Sequence, residues 1–178
     1  IIEASIFDKL VEQLQKEGGY LANDQEKAQL RRVMWDDERH RTADTVAIAP
    51  QQLAKAAGFT IPADRTFIFV HGDGIGKEHL FSGEKLTVTM ALYKVKDIDE
   101  AIEMTNRIQA YQGRGHSCGI YSNSDENIMK LAMATHTSRV MVNQPQAASN
   151  SGNLWNGMRQ TFSLGCGSWG GNSINHNV

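Results

Sequence analysis

The sequence contains two cysteines and six histidines, which are the side chains best suited to nucleophilic or metal chemistry. His116 and Cys118 stand two positions apart, so on a strand they share one face. Together with Cys166 they can form a nucleophile with its base, or part of a zinc site. No C-x-x-C motif or second ligand cluster accompanies them, so we expect no metal. A metal-dependent or cysteine hydrolase stays one interpretation, and Cys118 as a small buried hydrophobic residue is the other.

Three further segments carry polar or glycine-rich patterns. Glu84 precedes an apolar stretch, where its carboxylate can accept hydrogen bonds from a sugar diol or pair with a nearby lysine. Residues 72–77 are glycine-rich but lack the spacing of a phosphate-binding loop. Residues 165–170 match G-x-G-x-x-G, yet neither a helical pattern nor an acidic residue follows them, so we do not interpret them as a dinucleotide site. The amides of residues 143–146 favour a structural role.

Helical and strand patterns alternate along the chain and must position these residues. Apolar spacing and caps predict helices over 2–17, from Asn23 to about Met34, from Thr42 or Asp44 to Gly58, over 98–111, and from Ser124 to about Ala134. Pro50 is expected to interrupt or restart the third of these helices. Strands are predicted over 66–70, 86–95, 116–121 and 139–142. The alternation is typical of βαβ units, so we predict an α/β fold with a mostly parallel twisted sheet flanked by helices.

Composition excludes several classes of protein. The 178 residues carry a net charge of −2 without a Lys/Arg cluster, which argues against binding nucleic acid. No apolar run approaches the roughly 20 residues that cross a membrane, and we expect no membrane partner. Two cysteines are too few for a disulfide framework, so we expect a cytoplasmic setting. From residue 143 to 178 the only charged side chain is Arg159, which suggests packed loops around an uncharged site.

A set of motifs in one order resembles the CoA-acylating branch of the aldehyde dehydrogenase superfamily. These motifs are Asp73-Gly74-Ile75-Gly76, Phe81-Ser82-Gly83-Glu84-Lys85-Leu86, Gly115-His116-Ser117-Cys118-Gly119-Ile120-Tyr121, Ser138-Arg139-Val140, Val142-Asn143-Gln144 and Phe162 through Ser173. The resemblance implies the fold of an aldehyde dehydrogenase catalytic domain. It also implies that a cysteine thiolate attacks an aldehyde, hydride passes to NAD or NADP, and coenzyme A takes the acyl group.

The resemblance also assigns residues. It implies that Glu84 and Leu86 bind the cofactor, with Glu84 holding the nicotinamide ribose. It implies that His116 is the catalytic histidine that contacts substrate or assists thiol chemistry, and that Ser149 and Asn150 line the substrate tunnel.

In this family the nucleophilic cysteine precedes the segment matched by residues 1–14, and the Rossmann cofactor domain lies earlier still. We therefore expect residues 1–178 to be one truncated catalytic domain that is inactive alone. The parent protein is expected to be a homo-oligomer that uses a small aldehyde and CoA. A noncatalytic binding or assembly module with the same fold is the alternative.

Overall fold

A computed structural model describes residues 1–160. The chain divides into two units, one over Ile1–Lys96 and the other from Asp97 onward. Within the described residues, no helix is long and apolar enough to cross a membrane.

The first unit is built on a three-stranded parallel sheet with helices on both faces. Its elements in chain order are β1 (Ile2–Glu3), α1 (Phe7–Lys16), β2 (Gly19–Leu21), α2 (Asp24–Met34), α3 (Pro50–Ala57), β3 (Phe67–His71), β4 (Thr89–Leu92) and β5 (Lys94–Val95). Short 3-10 helices span Ala43–Thr45 and Leu80–Ser82. The sheet has the order β2-β3-β4, and β1 pairs with β5, with every pairing parallel.

The central strand β3 explains why this part of the sequence is almost continuously apolar. Ile68, Phe69 and Val70 are all completely buried. Ile68 and Val70 belong to one core cluster with residues of α2 and α3, whereas Phe69 belongs to another with Phe7 of α1. Both faces of β3 are therefore covered, as in other parallel sheets, and the predicted buried strand over 66–70 is confirmed.

The second unit contains a parallel strand pair and its own core. Its described elements are α4 (Ile98–Tyr111), β6 (Gly115–Ile120), α5 (Asp125–Ala134), β7 (Thr137–Val142) and α6 (Gln146–Ser149). Strand β6 pairs with β7 in parallel register. Ile102 of α4, Cys118 of β6 and Leu131 of α5 form a buried cluster between these elements.

Local capping signals predicted several helix starts correctly. Asn23 forms a reciprocal capping box with Glu26, in which its side chain accepts from the Glu26 amide at 2.9 Å. Asp97 and Ser124 accept from backbone amides at the starts of α4 and α5. These side chains satisfy amides that a helix terminus otherwise leaves unpaired, so the predicted helices over 98–111 and from Ser124 are confirmed.

Other predicted boundaries were wrong. The helix predicted over 2–17 begins only at Phe7, because Ile2–Glu3 pairs with Lys94–Val95 as a strand. The segment predicted to be helical from Thr42 or Asp44 forms only the short 3-10 helix Ala43–Thr45 before the chain turns helical again. The expected restart at Pro50 is confirmed, because α3 begins there and the missing amide hydrogen of proline suits the first turn.

Candidate functional site

The predicted cofactor residue Glu84 lies on a loop that follows the 3-10 helix Leu80–Ser82. Its side chain is exposed, and Oε1 accepts hydrogen bonds from the backbone amides of Lys85 at 2.9 Å and Leu86 at 3.0 Å. The loop therefore orients the carboxylate through its own backbone. An exposed carboxylate in this position has the acceptor oxygens that the two hydroxyls of a ribose require.

The neighbouring Lys85 turns back into the protein. Its Nζ donates to the carbonyl of Phe81 at 3.0 Å and to the carbonyl of Gly83 at 2.8 Å. Burial lowers the pKa of this ammonium below its ordinary value. The ammonium thus fixes the carbonyls of Phe81 and Gly83, which precede Glu84 in the loop.

The sequence predicted that a strand begins at Leu86, and this prediction was wrong. Its φ is 47° and its side chain is 59% exposed. The Leu86 carbonyl accepts from the amide of Ala47 at 2.8 Å, and Ala47 itself has a φ of 55°. Left-handed conformations of non-glycine residues cost of order 1 kcal/mol or more each and persist only where surrounding contacts impose them. The extended strand of this region begins later, at Thr89.

The glycine-rich loop over residues 72–76 has a structural explanation. A Cβ atom at Gly74 would lie 2.6 Å from the ring of His79, so the ring packs where a side chain would be. The Gly76 amide donates to Ser82 Oγ at 3.0 Å. The loop is thereby connected to the segment that carries Glu84.

The predicted catalytic histidine lies in the second unit, on β6. His116 is half-buried, and its Nδ1 lies 2.8 Å from Ser117 Oγ. Gln146 of α6 donates from Nε2 to the same hydroxyl at 2.7 Å. Because Ser117 fixes the Nδ1 side of the ring, Nε2 is the nitrogen suited to exchange a proton with a ligand.

Cys118 is a core residue. It is buried with Ile102 and Leu131, and its Sγ lies 3.5 Å from Thr137 Oγ1 and 3.7 Å from Thr135 Oγ1. The interpretation of Cys118 as a small buried hydrophobic residue is confirmed. Cys166 and the glycines of residues 165–170 lie outside the described residues.

Ser149 and Asn150 end α6 in a buried polar environment. Ser149 is only 1% exposed, and its Oγ and the Oδ1 of Asn150 have no hydrogen-bond partner among the described residues. The guanidinium of Arg139 donates to the Asn150 carbonyl. Buried polar atoms without partners are costly, so these two atoms are suited to a polar ligand or water.

The amide side chain of Asn143, which follows β7, has a structural role. Asn143 Nδ2 donates to the Ser122 carbonyl, and Asn143 Oδ1 accepts from the Ser122 amide, both at 2.9 Å. These two bonds tie the chain after β6 to the chain after β7. Within residues 1–160, no group of three or more His, Cys, Asp or Glu side chains is placed to hold a metal ion.

The candidate residues thus belong to two different units of the chain. Glu84 and Leu86 belong to the first unit, while His116, Ser149 and Asn150 belong to the second. Sequence analysis did not predict the role of Lys85 or that of Arg41, whose Nε donates to the Lys85 carbonyl at 3.0 Å. The Arg41 contact joins positions 44 residues apart, and no local pattern reveals such a pair. The Lys85 ammonium contacts residues within four positions, but they depend on the turn that the loop adopts.

Comparisons with known proteins identify relatives of the whole chain. A sulfoacetaldehyde dehydrogenase from an Acholeplasma species is 36% identical over the whole chain, which covers 37% of that relative. An acylating sulfoacetaldehyde dehydrogenase from Bilophila wadsworthia is 34% identical over 98% of the chain and 38% of its own length. The chain therefore spans less than two-fifths of the length of these relatives.

A solved structure and a family profile complete the comparison. The crystal structure of an acetylating aldehyde dehydrogenase from Geobacillus thermoglucosidasius matches with a TM-score of 0.92 and 31% identity, over 99% of this chain and 38% of that one. The aldehyde dehydrogenase family profile matches residues 78–176, which is more than half of the chain. With its parallel α/β architecture and its similarity to acylating enzymes, this chain belongs to the aldehyde dehydrogenase family.

Proposed function

We propose that the protein carrying this chain is an NAD(P)-dependent, CoA-acylating aldehyde dehydrogenase. The observation that carries the proposal is the exposed Glu84 carboxylate on a loop braced by its own backbone, in a chain similar throughout to acylating dehydrogenases. The small aldehyde is the substrate, and CoA is the acyl acceptor. We further propose a cytoplasmic protein, because two cysteines are too few for a disulfide framework. We also propose a homo-oligomer, because five large apolar side chains are exposed in the second unit: Tyr121, Met129, Met133, Leu154 and Trp155.

In this proposal the first unit contributes Glu84 and Leu86 to the cofactor site. When bound, the nicotinamide ring accepts the hydride that leaves the aldehyde carbon. Glu84 accepts hydrogen bonds from the ribose hydroxyls and so fixes the orientation of the ring. Leu86, which is exposed beside Glu84, contributes apolar contact.

The second unit handles the substrate. His116 accepts a proton at Nε2 while Ser117 holds Nδ1. This role suits the CoA thiol, which must lose its proton before its sulfur attacks the acyl carbon of the cysteine thioester, breaking that C–S bond and releasing the cysteine as a thiolate. Ser149 Oγ and Asn150 Oδ1 contact the polar part of the aldehyde or its bound water.

The test measures NADH or NADPH formation at 340 nm with the complete protein, CoA, and a panel of sulfoacetaldehyde, acetaldehyde and succinate semialdehyde. We expect CoA-dependent turnover with at least one aldehyde. Glu84→Gln weakens charge-assisted hydrogen bonds, so KM for the cofactor should rise about tenfold. Glu12→Gln, at an exposed position of α1, is the matched control and should leave KM unchanged.

A different outcome would support the alternative function. If no aldehyde of the panel reduces either cofactor in the presence of CoA, the noncatalytic binding or assembly module becomes the better interpretation. Light scattering of the complete protein tests the homo-oligomer, because a monomeric mass contradicts it.

A further inference from the structure

Two basic side chains hold the segment that carries Glu84, and neither of them is exposed. Lys85 and Arg41, which we call the basic pair, are both partly buried and both belong to the first unit. Charged groups in such positions are retained only when hydrogen bonds compensate for lost hydration. Their contacts therefore show what they stabilise.

Lys85 acts on the residues before Glu84. Its ammonium lies 3.0 Å from the Phe81 carbonyl and 2.8 Å from the Gly83 carbonyl. Both carbonyls belong to the turn that ends the 3-10 helix Leu80–Ser82. The ammonium thus holds the turn that immediately precedes Glu84.

Arg41 acts on the residues after Glu84. Its Nε donates to the Lys85 carbonyl at 3.0 Å, and its Nη1 donates to Thr45 Oγ1 at 3.1 Å and to the Met34 carbonyl. The guanidinium also lies 5.0 Å from the ring centre of Trp35. Arg41 thus joins the end of α2 to the backbone of the Glu84 loop.

Two further contacts join the Glu84 loop to residues before and after Arg41 in the sequence. The ring of Trp35 packs edge-on against Phe81, with 5.0 Å between ring centres. The Ala47 amide donates to the Leu86 carbonyl at 2.8 Å. The loop from Phe81 to Leu86 is therefore attached at both ends to the segment that follows α2.

We propose that Lys85 and Arg41 are positioning residues that fix the Glu84 carboxylate in its cofactor-binding orientation. The proposal rests on the proposed function and concerns the same site. The basic pair does not touch the cofactor. It fixes the turn before Glu84 and the carbonyl after it, so the carboxylate needs no ordering when the cofactor binds.

The kinetic test uses the complete protein. Lys85→Met removes the ammonium and keeps most of the side-chain volume. We expect KM for the cofactor to rise about tenfold, with kcat within threefold of the unaltered protein. Lys55→Met removes an exposed lysine of α3 and is the matched control, with unchanged KM. Arg41→Lys, which retains the charge but not the planar group of donors, should raise KM in the same direction.

Combining variants distinguishes positioning from general damage. If Lys85 acts through Glu84, adding Lys85→Met to Glu84→Gln raises KM by less than threefold further. If the rise in KM in the double variant equals the product of the two single rises, Lys85 acts independently of Glu84 and the proposal is overturned. If Glu84→Gln alone raises KM while Lys85→Met does not, positioning fails and the proposed function stands. If Glu84→Gln alone has no effect, the proposed function of Glu84 fails.

Hydrogen exchange provides a readout that does not depend on activity. In the folded protein the Ala47 amide is protected by the Leu86 carbonyl. Lys85→Met and Arg41→Lys should accelerate exchange at Ala47 and across residues 80–86, while peptides from α1 remain unchanged. Unchanged exchange at both places in both variants would overturn the proposal.

Discussion

Replacing Cys118 by alanine tests whether this thiol is structural or chemical. Cys118 is 7% exposed and packs with Ile102 and Leu131. Thr135 Oγ1 donates to the Leu131 carbonyl at 2.9 Å and lies 3.3 Å from Thr137 Oγ1, so removing the sulfur leaves both hydroxyls paired. The cost is then lost packing alone, which for one buried heavy atom is about 1 kcal/mol.

The assay compares thermal unfolding and turnover of the complete protein. We expect Cys118→Ala to lower the unfolding temperature by a few degrees and to keep kcat within twofold at 25 °C. Ile102→Val, in the same core cluster, removes a buried methyl and is the matched control, with a destabilisation of about 1 kcal/mol. Loss of activity by tenfold or more in Cys118→Ala, at an unchanged unfolding temperature, would refute the structural role and favour thiol chemistry at this position.

Three further predictions concern other parts of the chain. Asn23→Ala removes the α2 capping box and should lower the free energy of unfolding by about 1 kcal/mol in urea titrations. Burial raises the pKa of Tyr93 from 10.0 to about 12, so its stabilising contribution is complete below pH 10 and is lost between pH 10 and 12. In the Tyr93→Phe variant, the free energy of unfolding should therefore fall less steeply with pH between pH 10 and 12 than in the unaltered protein. Ser117→Ala releases His116 Nδ1 and should lower kcat about fivefold at unchanged cofactor KM in steady-state assays.

Elements whose signals are local could be predicted from the sequence. Asn23, Asp97 and Ser124 each cap a helix within three residues of themselves, and the capping pattern is visible in the sequence. The apolar run of β3 similarly indicates a strand covered on both faces. The resemblance correctly identified the family because its motifs extend over most of the chain.

Features that depend on distant contacts could not be predicted. Strand β2 is only three residues long, and it exists because Gly19–Leu21 pairs with Phe67–Phe69. Leu86 has the residue type of a strand but a left-handed backbone, because Ala47 and Arg41 contact the loop from about forty positions away. The roles assigned to Glu84, Leu86, His116, Ser149 and Asn150 remain predictions.

The hydrogen bond between Ala47 and Leu86 has a consequence for engineering. Leu86 lies within the stretch matched by the family profile, residues 78–176, whereas Ala47 precedes that stretch. A chimera that takes residues 80–86 from another dehydrogenase would place that loop against residues 41–47 of this chain, which did not evolve with it. Exchanging residues 41–47 together with the loop preserves the pairing. The loop that carries Glu84 and the segment that contacts it are therefore far apart in the sequence but joined in the fold, so an exchange of the loop must include both.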